Sequence, residues 1–182
     1  MPQRLRLRVE DFELLADSGA FADYGKTELI DGDIYYMNAQ WSRHGRVKMR
    51  LSFALMSRLA EIGSDLEVLV EVSMRAADDS MPEPDVVLTC YRGDRAIPAD
   101  TVALVIEIAD TTLDTDLGRK VALYAAASVP EYWVVDVNGG RVVQYDRPDG
   151  EGYARRAEAP LGQVLASTTI EGLAVETAGL VG

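Results

Sequence analysis

Residues 101–109 read TVALVIEIA, an apolar run whose only charged side chain is Glu107. In a strand with apolar residues on both faces, that carboxylate loses much of its hydration, at a cost of several kcal/mol unless a cation pairs with it. Alternation along the strand puts Val102, Leu104, Ile106 and Ile108 on one face and Ala103, Val105, Glu107 and Ala109 on the other, so Glu107 keeps company with small residues that leave room for a ligand. Upstream, PEPDVVL (82–88) is a second, proline-gated strand that carries Asp85, with Asp85, Val87 and Thr89 on one face. If the two strands are neighbours in matching register, the two carboxylates meet. Downstream, Lys120 follows in the next predicted element and can supply the cation.

Two carboxylates, a backbone carbonyl and waters form an oxygen donor set suited to Mg²⁺ or Mn²⁺, whereas zinc asks for more nitrogen or sulfur. Such an ion polarises a phosphoryl oxygen and lowers the pKa of a bound water, and a nearby lysine neutralises the charge that develops. The pattern thus reads as a metal-dependent hydrolytic site. Plainer readings stand beside it. Asp85 also reads as a turn residue after Pro84, and Glu107 as the partner of an arginine in a structural ion pair. Lys120 has Asp116 four residues before it, and such helical pairs add only about 0.2–0.5 kcal/mol on a surface.

Working outward, LEVLVEVSM (66–74), PDVVLTC and TVALVIEIA are three strand-like runs that read as the centre of a sheet, separated by AADDSMPE (76–83) and YRGDRAIPAD (91–100). Before them, Val47, Leu51, Ala54, Leu55, Leu59 and Ile62 recur at helical spacing, predicting a helix from about His44 to Ile62 that Gly63 ends and that packs on the sheet. After them, TTLDTDLGRKVALYAAAS (111–128) predicts one helix capped by Asp or Thr, with Leu117, Val121, Leu123, Tyr124 and Ala127 as its buried stripe. VPEYWVVDV (129–137) and GRVVQYDR (140–147) follow as strands about a turn at Asn138, Gly139 and Gly140, with GYARRAEA (152–159) as a further strand at the edge. At the N-terminal side, RVEDFELLADS (8–18) is amphipathic, and TELIDGDIYYMN (27–38) predicts a hairpin turning at Asp31 and Gly32. The tail LAVETAGLVG (173–182) reads as a short amphipathic finish. The order is helix, three strands, helix, strand, with a hairpin before and after, in an α/β class.

The chain of 182 residues fits a single domain, 1–182, with 48% hydrophobic and 26% charged residues and no run long enough to span a membrane. MPQRLRLRVEDF lacks the apolar core of a secretory signal, so the cytoplasm is the expected compartment. Cys90, the only cysteine, excludes an internal disulfide and a multi-cysteine zinc site, and its strand setting reads as a small core residue. A net charge of −12 argues against a protein that coats nucleic acid nonspecifically. Positive charge is nevertheless concentrated in SRHGRVKMR (42–50), where Arg43, His44, Arg46, Lys48 and Arg50 mark either a substrate-facing patch or a solvated start to a helix.

Taken together, TELIDGDIYYMN, His44, PEPDVVL, LVIEIAD, the aspartate and lysine four apart in DTDLGRK, and VPEYWVVDV resemble the Uma-type restriction endonuclease family of the PD-(D/E)XK nuclease superfamily, from about residue 24 to the end. The resemblance implies a restriction-endonuclease-like core (helix, three strands, helix, strand) with an extra N-terminal hairpin and C-terminal strands. It implies Asp85 and Glu107 as ligands of Mg²⁺ or Mn²⁺. The superfamily's usual lysine lies two residues after the second acid, where this chain has Ala109, and Lys120 is similar to the lysine that replaces it from the following helix. Glu28 in ELIDG matches a further acidic position, as against an exposed start of a hairpin strand. His44 matches a histidine just before the first helix of that core, as a substrate contact together with Arg43 and Arg46 or as a local hydrogen bonder. The chain departs from the family in reading EIADTTLD after the second acid, which bears on loop geometry and leaves the acids in place.

Two functions of different class follow. One is a metal-dependent endonuclease acting on DNA, for which a twofold homodimer suits double-strand cleavage; RNA or a smaller phosphodiester is open to the same chemistry. The other is a catalytically silent DNA-binding or protein-assembly module, in which the acids are structural and EYWVVD with the tail forms a dimer contact.

Overall fold

A computed structural model describes residues 3–37 and 40–180; Asn38 of the hairpin stretch and the last two residues of the tail lie outside the described residues. The chain runs α1 (Val9–Asp17), β1 (Lys26–Ile30), β2 (Asp33–Met37), α2 (Ser42–Glu61), β3 (Glu67–Val70), β4 (Met74–Arg75), β5 (Val86–Thr89), β6 (Ile97–Pro98), β7 (Val102–Ala109), α3 (Leu113–Asp116), α4 (Arg119–Ala126), β8 (Glu131–Asp136), β9 (Arg141–Pro148), β10 (Tyr153–Pro160), β11 (Val164–Ala166) and β12 (Ala174–Glu176).

Six strands form the main sheet in the order β10-β9-β8-β7-β5-β3, in which only β7 and β8 run parallel. The parallel pair requires a crossover, and α3 and α4 supply it. Pleating sends alternate residues to opposite faces. Leu104, Ile106 and Ile108 of β7 meet Val47, Leu51, Leu55 and Leu59 of α2 on one side, with Trp133 and Val135. Val105 and Ala109 meet Tyr124 of α4 on the other, with Tyr132 and Val134. Each such aliphatic or aromatic side chain, removed from water, contributes about 1.5–3 kcal/mol. The smaller cluster Val9, Phe12, Leu29 and Met81 holds α1 and the β1–β2 hairpin to the rest of the fold.

Local chemistry sets the boundaries. The β1–β2 turn needs positive φ at two successive residues, and Asp31 (51°) and Gly32 (76°) provide it. Helix α2 ends as the spacing predicts: Gly63 takes a φ of 65°, its N–H reaches the Ala60 carbonyl, and the Ser64 N–H reaches back to Leu59 at 2.9 Å.

Four expectations are corrected. The run LEVLVEVSM contributes β3, which lies at the edge of the sheet; β5 is the inner neighbour of β7. The single helix over 111–128 is two helices, because Gly118 leaves helical geometry (φ −118°, ψ −94°), and a Cβ there would come within 2.8 Å of the Asp114 carbonyl. Cys90 is exposed, since β5 stops at Thr89 and the chain turns away. Finally, EYWVVD is the wholly buried strand β8 between β7 and β9, so it offers no surface for a dimer contact. Among the described residues, no helix is long and apolar enough to cross a membrane.

Candidate active site

The β5–β7 register decides the site. Val86 stands opposite Ile106, so one step further out Asp85 stands opposite Glu107. The two are stitched together: the Asp85 N–H points to Glu107 Oε2 at 3.4 Å, and the Ile108 N–H donates to Asp85 Oδ2 at 2.9 Å. Both side chains are buried.

Helix α4 closes over Glu107 from the other layer. Lys120 Nζ lies 2.8 Å from Glu107 Oε1, and the Tyr124 hydroxyl donates to the same oxygen at 2.7 Å. The lysine is buried, with Glu28 Oε1 at 3.5 Å and Asp116 Oδ1 at 3.9 Å. The reading of Lys120 and Asp116 as a surface pair is therefore corrected: both are interior, and Glu107 is the lysine's nearest carboxylate. Glu28 is likewise buried in β1, where it accepts the Glu83 N–H at 2.8 Å. Arg119 holds that hairpin in place, donating to the Ile30 carbonyl at 3.1 Å, to Asp31 at 2.9 Å and to the Tyr35 hydroxyl.

On the far side of Asp85, His44 in the first turn of α2 brings Nε2 to 3.1 Å from Oδ1, beside Gln40 at 3.1 Å and Lys48 Nζ at 3.5 Å. The basic stretch is thus divided. His44 and Lys48 face inward; Arg46 is exposed; Arg50 donates to the Gly179 carbonyl at 2.8 Å. Arg43 donates to the Val137 carbonyl at 3.0 Å and to Asn138 at 2.8 Å, away from the two acids.

Electrostatics separate the two acids. Burial raises the pKa of Glu107, with Asp116 and Asp85 adding to the rise and Lys120 opposing it, and the carboxyl is pushed up to about 7. Burial acts on Asp85 in the same sense, but the hydrogen bond and charge of His44 and the Ile108 N–H outweigh it and hold Asp85 well below the usual carboxylate range. Burial disfavours the Lys120 ammonium, yet Glu107, Glu28 and Asp116 more than compensate, so its pKa rises and it stays charged. Burial also raises Asp116.

These residues lie along a cleft of about 1070 Å³ with a rim of Tyr35, Tyr36 and Trp41; seven acidic side chains line it, against the cations Lys26, Arg119 and Lys120. Among the described residues, no three acid, histidine or cysteine side chains converge to hold an ion by themselves. The donor set fits a hard divalent cation resting on Asp85 and Glu107 and completing its shell with waters, since Mg²⁺ keeps several waters and binds through one or two carboxylates. The surplus of carboxylates over ammonium groups favours that charge.

The sequence does not reveal the roles of Tyr124 and Gln40, the turn of Lys48 toward Asp85, or the interior position of Asp116. Tyr124 was legible only as part of an apolar stripe, because the target of a hydroxyl depends on how its helix is rotated.

The family model named Uma2, described as "Putative restriction endonuclease", matches residues 9–178. No curated protein matches the chain. A crystal structure described as "a putative nuclease belonging to DUF820", from Anabaena variabilis, is similar in fold with a TM-score of 0.70 at 14% identity, covering 96% of this chain and 97% of the other.

Proposed function

Because the chain belongs to the Uma2 family of putative restriction endonucleases, we propose that it is a Mg²⁺- or Mn²⁺-dependent endonuclease hydrolysing DNA phosphodiester bonds at Asp85 and Glu107. The observation that carries this is the side-by-side placement of the two buried acids, with the ammonium of Lys120 against Glu107. A bound ion supplies Lewis-acid polarisation of the phosphoryl oxygen and a water acidic enough to attack.

The chain's own residues do the rest. His44 and the Ile108 N–H keep Asp85 ionised and oriented. Tyr124 and Lys120 hold one oxygen of Glu107 and leave the other turned toward Asp85. Lys120, fixed between Glu28, Glu107 and Asp116, remains a cation and stabilises the negative charge that builds on the phosphoryl group. Glu28 acts as a positioning residue for that lysine. Arg46 is exposed with no hydrogen-bond or ion-pair partner among the described residues and can meet substrate on the surface, whereas Arg43 is engaged by the β8–β9 turn.

A homodimer belongs to the same reading, as does a cytoplasmic setting. The exposed stripe Met49, Phe53 and Met56 of α2 is the face a second copy would cover, and light scattering reads its presence. The nuclease itself is tested by Mn²⁺ calorimetry and plasmid nicking with wild type, Asp85→Asn and Glu107→Gln. Both variants are expected to remain folded and to lose binding and nicking. Retained nicking in both would refute the site; a folded wild type with neither Mn²⁺ binding nor nicking would favour the silent module of the same fold.

A further inference from the structure

The rim of the cleft is aromatic. Five aromatic side chains are exposed among the described residues, and four of them, Tyr24, Tyr35, Tyr36 and Trp41, gather here, leaving only Phe53 elsewhere. Trp41, at the N-cap of α2, is 76% exposed and Tyr36 is 63% exposed. Two of the rings have neighbours: Tyr36 rests against Tyr24 with ring centroids 5.5 Å apart, and the Arg119 guanidinium sits 4.7 Å from the centre of the Tyr35 ring. Large rings clustered in water beside a site deep in a cleft suit an occupant with flat apolar faces.

Charge narrows what that occupant is. A duplex is gripped chiefly through its phosphates, by lysine and arginine that release counterions. Here the lining cations are already engaged, Lys26 with Glu83 at 3.9 Å, Arg119 with Asp31 at 2.9 Å and Lys120 with Glu107 at 2.8 Å, and the surrounding carboxylates repel further phosphates. Within the cleft, affinity is better supplied by stacking of unpaired bases on aromatic rings, about 1–3 kcal/mol per base, which tolerates any base sequence.

We infer that the cleft takes an unpaired nucleotide of a DNA strand, its base stacked on Trp41 and Tyr36 and its phosphodiester directed to Asp85 and Glu107. The inference rests on the nuclease reading for its direction of travel, and binding can be tested apart from cleavage. The chain has two tryptophans, and Trp133 is fully buried with its Nε1–H donated to Glu131 at 2.6 Å, so a ligand-dependent change in tryptophan emission reports Trp41.

The experiment titrates the full chain, in Ca²⁺, with oligothymidylate, with its duplex with oligoadenylate, and with oligouridylate, and repeats the series by fluorescence polarisation of the labelled oligonucleotides with Trp41→Ala and Tyr36→Ala. Oligothymidylate is expected to change the emission saturably and to bind at least several-fold more tightly than the duplex. Each substitution is expected to weaken it about 5- to 150-fold, the equivalent of one lost stack. Equal binding of oligouridylate would support the unpaired-nucleotide site and extend it to RNA. Duplex bound as tightly as single strand, or unchanged affinity in both variants, would overturn the inference even if plasmid nicking is intact. Single-strand binding without metal-dependent cleavage would sustain it and sink the nuclease reading instead.

Discussion

Glu107→Gln is expected to make the metal-free protein more stable at pH 8, although it removes a residue placed at the heart of the site. The sign follows from the direction of the pKa. Burial lifts the carboxyl of Glu107 from its ordinary 4.5 to about 7, so the folded state binds this proton more tightly than the unfolded state. Stability contributed by Glu107 is then full below pH 4.5, falls as pH rises toward 7, and stays low above it. At roughly 1.4 kcal/mol per pH unit, ionising the buried carboxylate costs on the order of 3 kcal/mol. Glutamine is neutral at every pH, and Lys120 keeps Glu28 and Asp116 as counter-ions. In EDTA, wild type and variant should be nearly equal at pH 5, while at pH 8 the variant gains by up to about 3 kcal/mol, or about 6–12 °C for a chain of this size. Adding Mn²⁺ at pH 8 should reverse the order, because an ion at about a thousandfold excess over its dissociation constant stabilises only the wild type, by about 4.1 kcal/mol. Urea unfolding at the two pH values, with and without Mn²⁺, measures all four corners. A wild-type-to-variant difference that does not change between pH 5 and pH 8 would refute the reasoning.

Tyr124→Phe removes a buried hydrogen bond to a carboxylate at constant volume and should cost about 1.5–3 kcal/mol, more at pH 8 than at pH 5, as read by urea unfolding. Asp85 has the opposite pH signature: its depressed pKa contributes stability above its ordinary value of 3.8 that is lost as pH falls through the lower folded value. Acid titration followed by circular dichroism should accordingly show a shallower decline below pH 4 for Asp85→Asn than for wild type. Gly32→Ala would place a Cβ 2.6 Å from that of Arg6 at a φ of 76°, and should lower stability by about 1–3 kcal/mol and impair nicking with it, since β1 carries Glu28; normal melting and activity would show that the hairpin can move freely.

Much of the candidate site was visible in the sequence because burial of charge leaves a mark there. A glutamate within TVALVIEIA and an aspartate behind Pro84 are each out of place unless something pairs with them, and alternation alone put Glu107 on the small-residue face. What alternation does not carry is order across the sheet. LEVLVEVSM and PDVVLTC are apolar runs of similar quality, yet one is an edge strand and the other an inner one, a difference set by the packing of α2 and the loops. The break at Gly118 was hidden because the apolar spacing of Leu117 and Val121 continues through it. Side-chain targets were hidden for the same reason: nothing in SRHGRVKMR tells His44 and Lys48, which turn toward Asp85, from Arg43, which turns toward the β8–β9 turn.

The two ends of the main sheet bear on how the chain behaves in a concentrated solution. An open strand edge offers unpaired N–H and C=O groups to any other extended chain, and a core as rich in valine and isoleucine as β7 and β8 makes such pairing hazardous. Here β3 is only four residues long and has Glu67 tied to Arg92 at 3.2 Å. At the opposite end, β10 shows Arg155, Arg156 and Glu158 along its length and finishes at Pro160, which has no N–H to give. Charge, brevity and proline thus act as gatekeepers against strand-to-strand self-association, keeping the aggregation-prone strands in the interior.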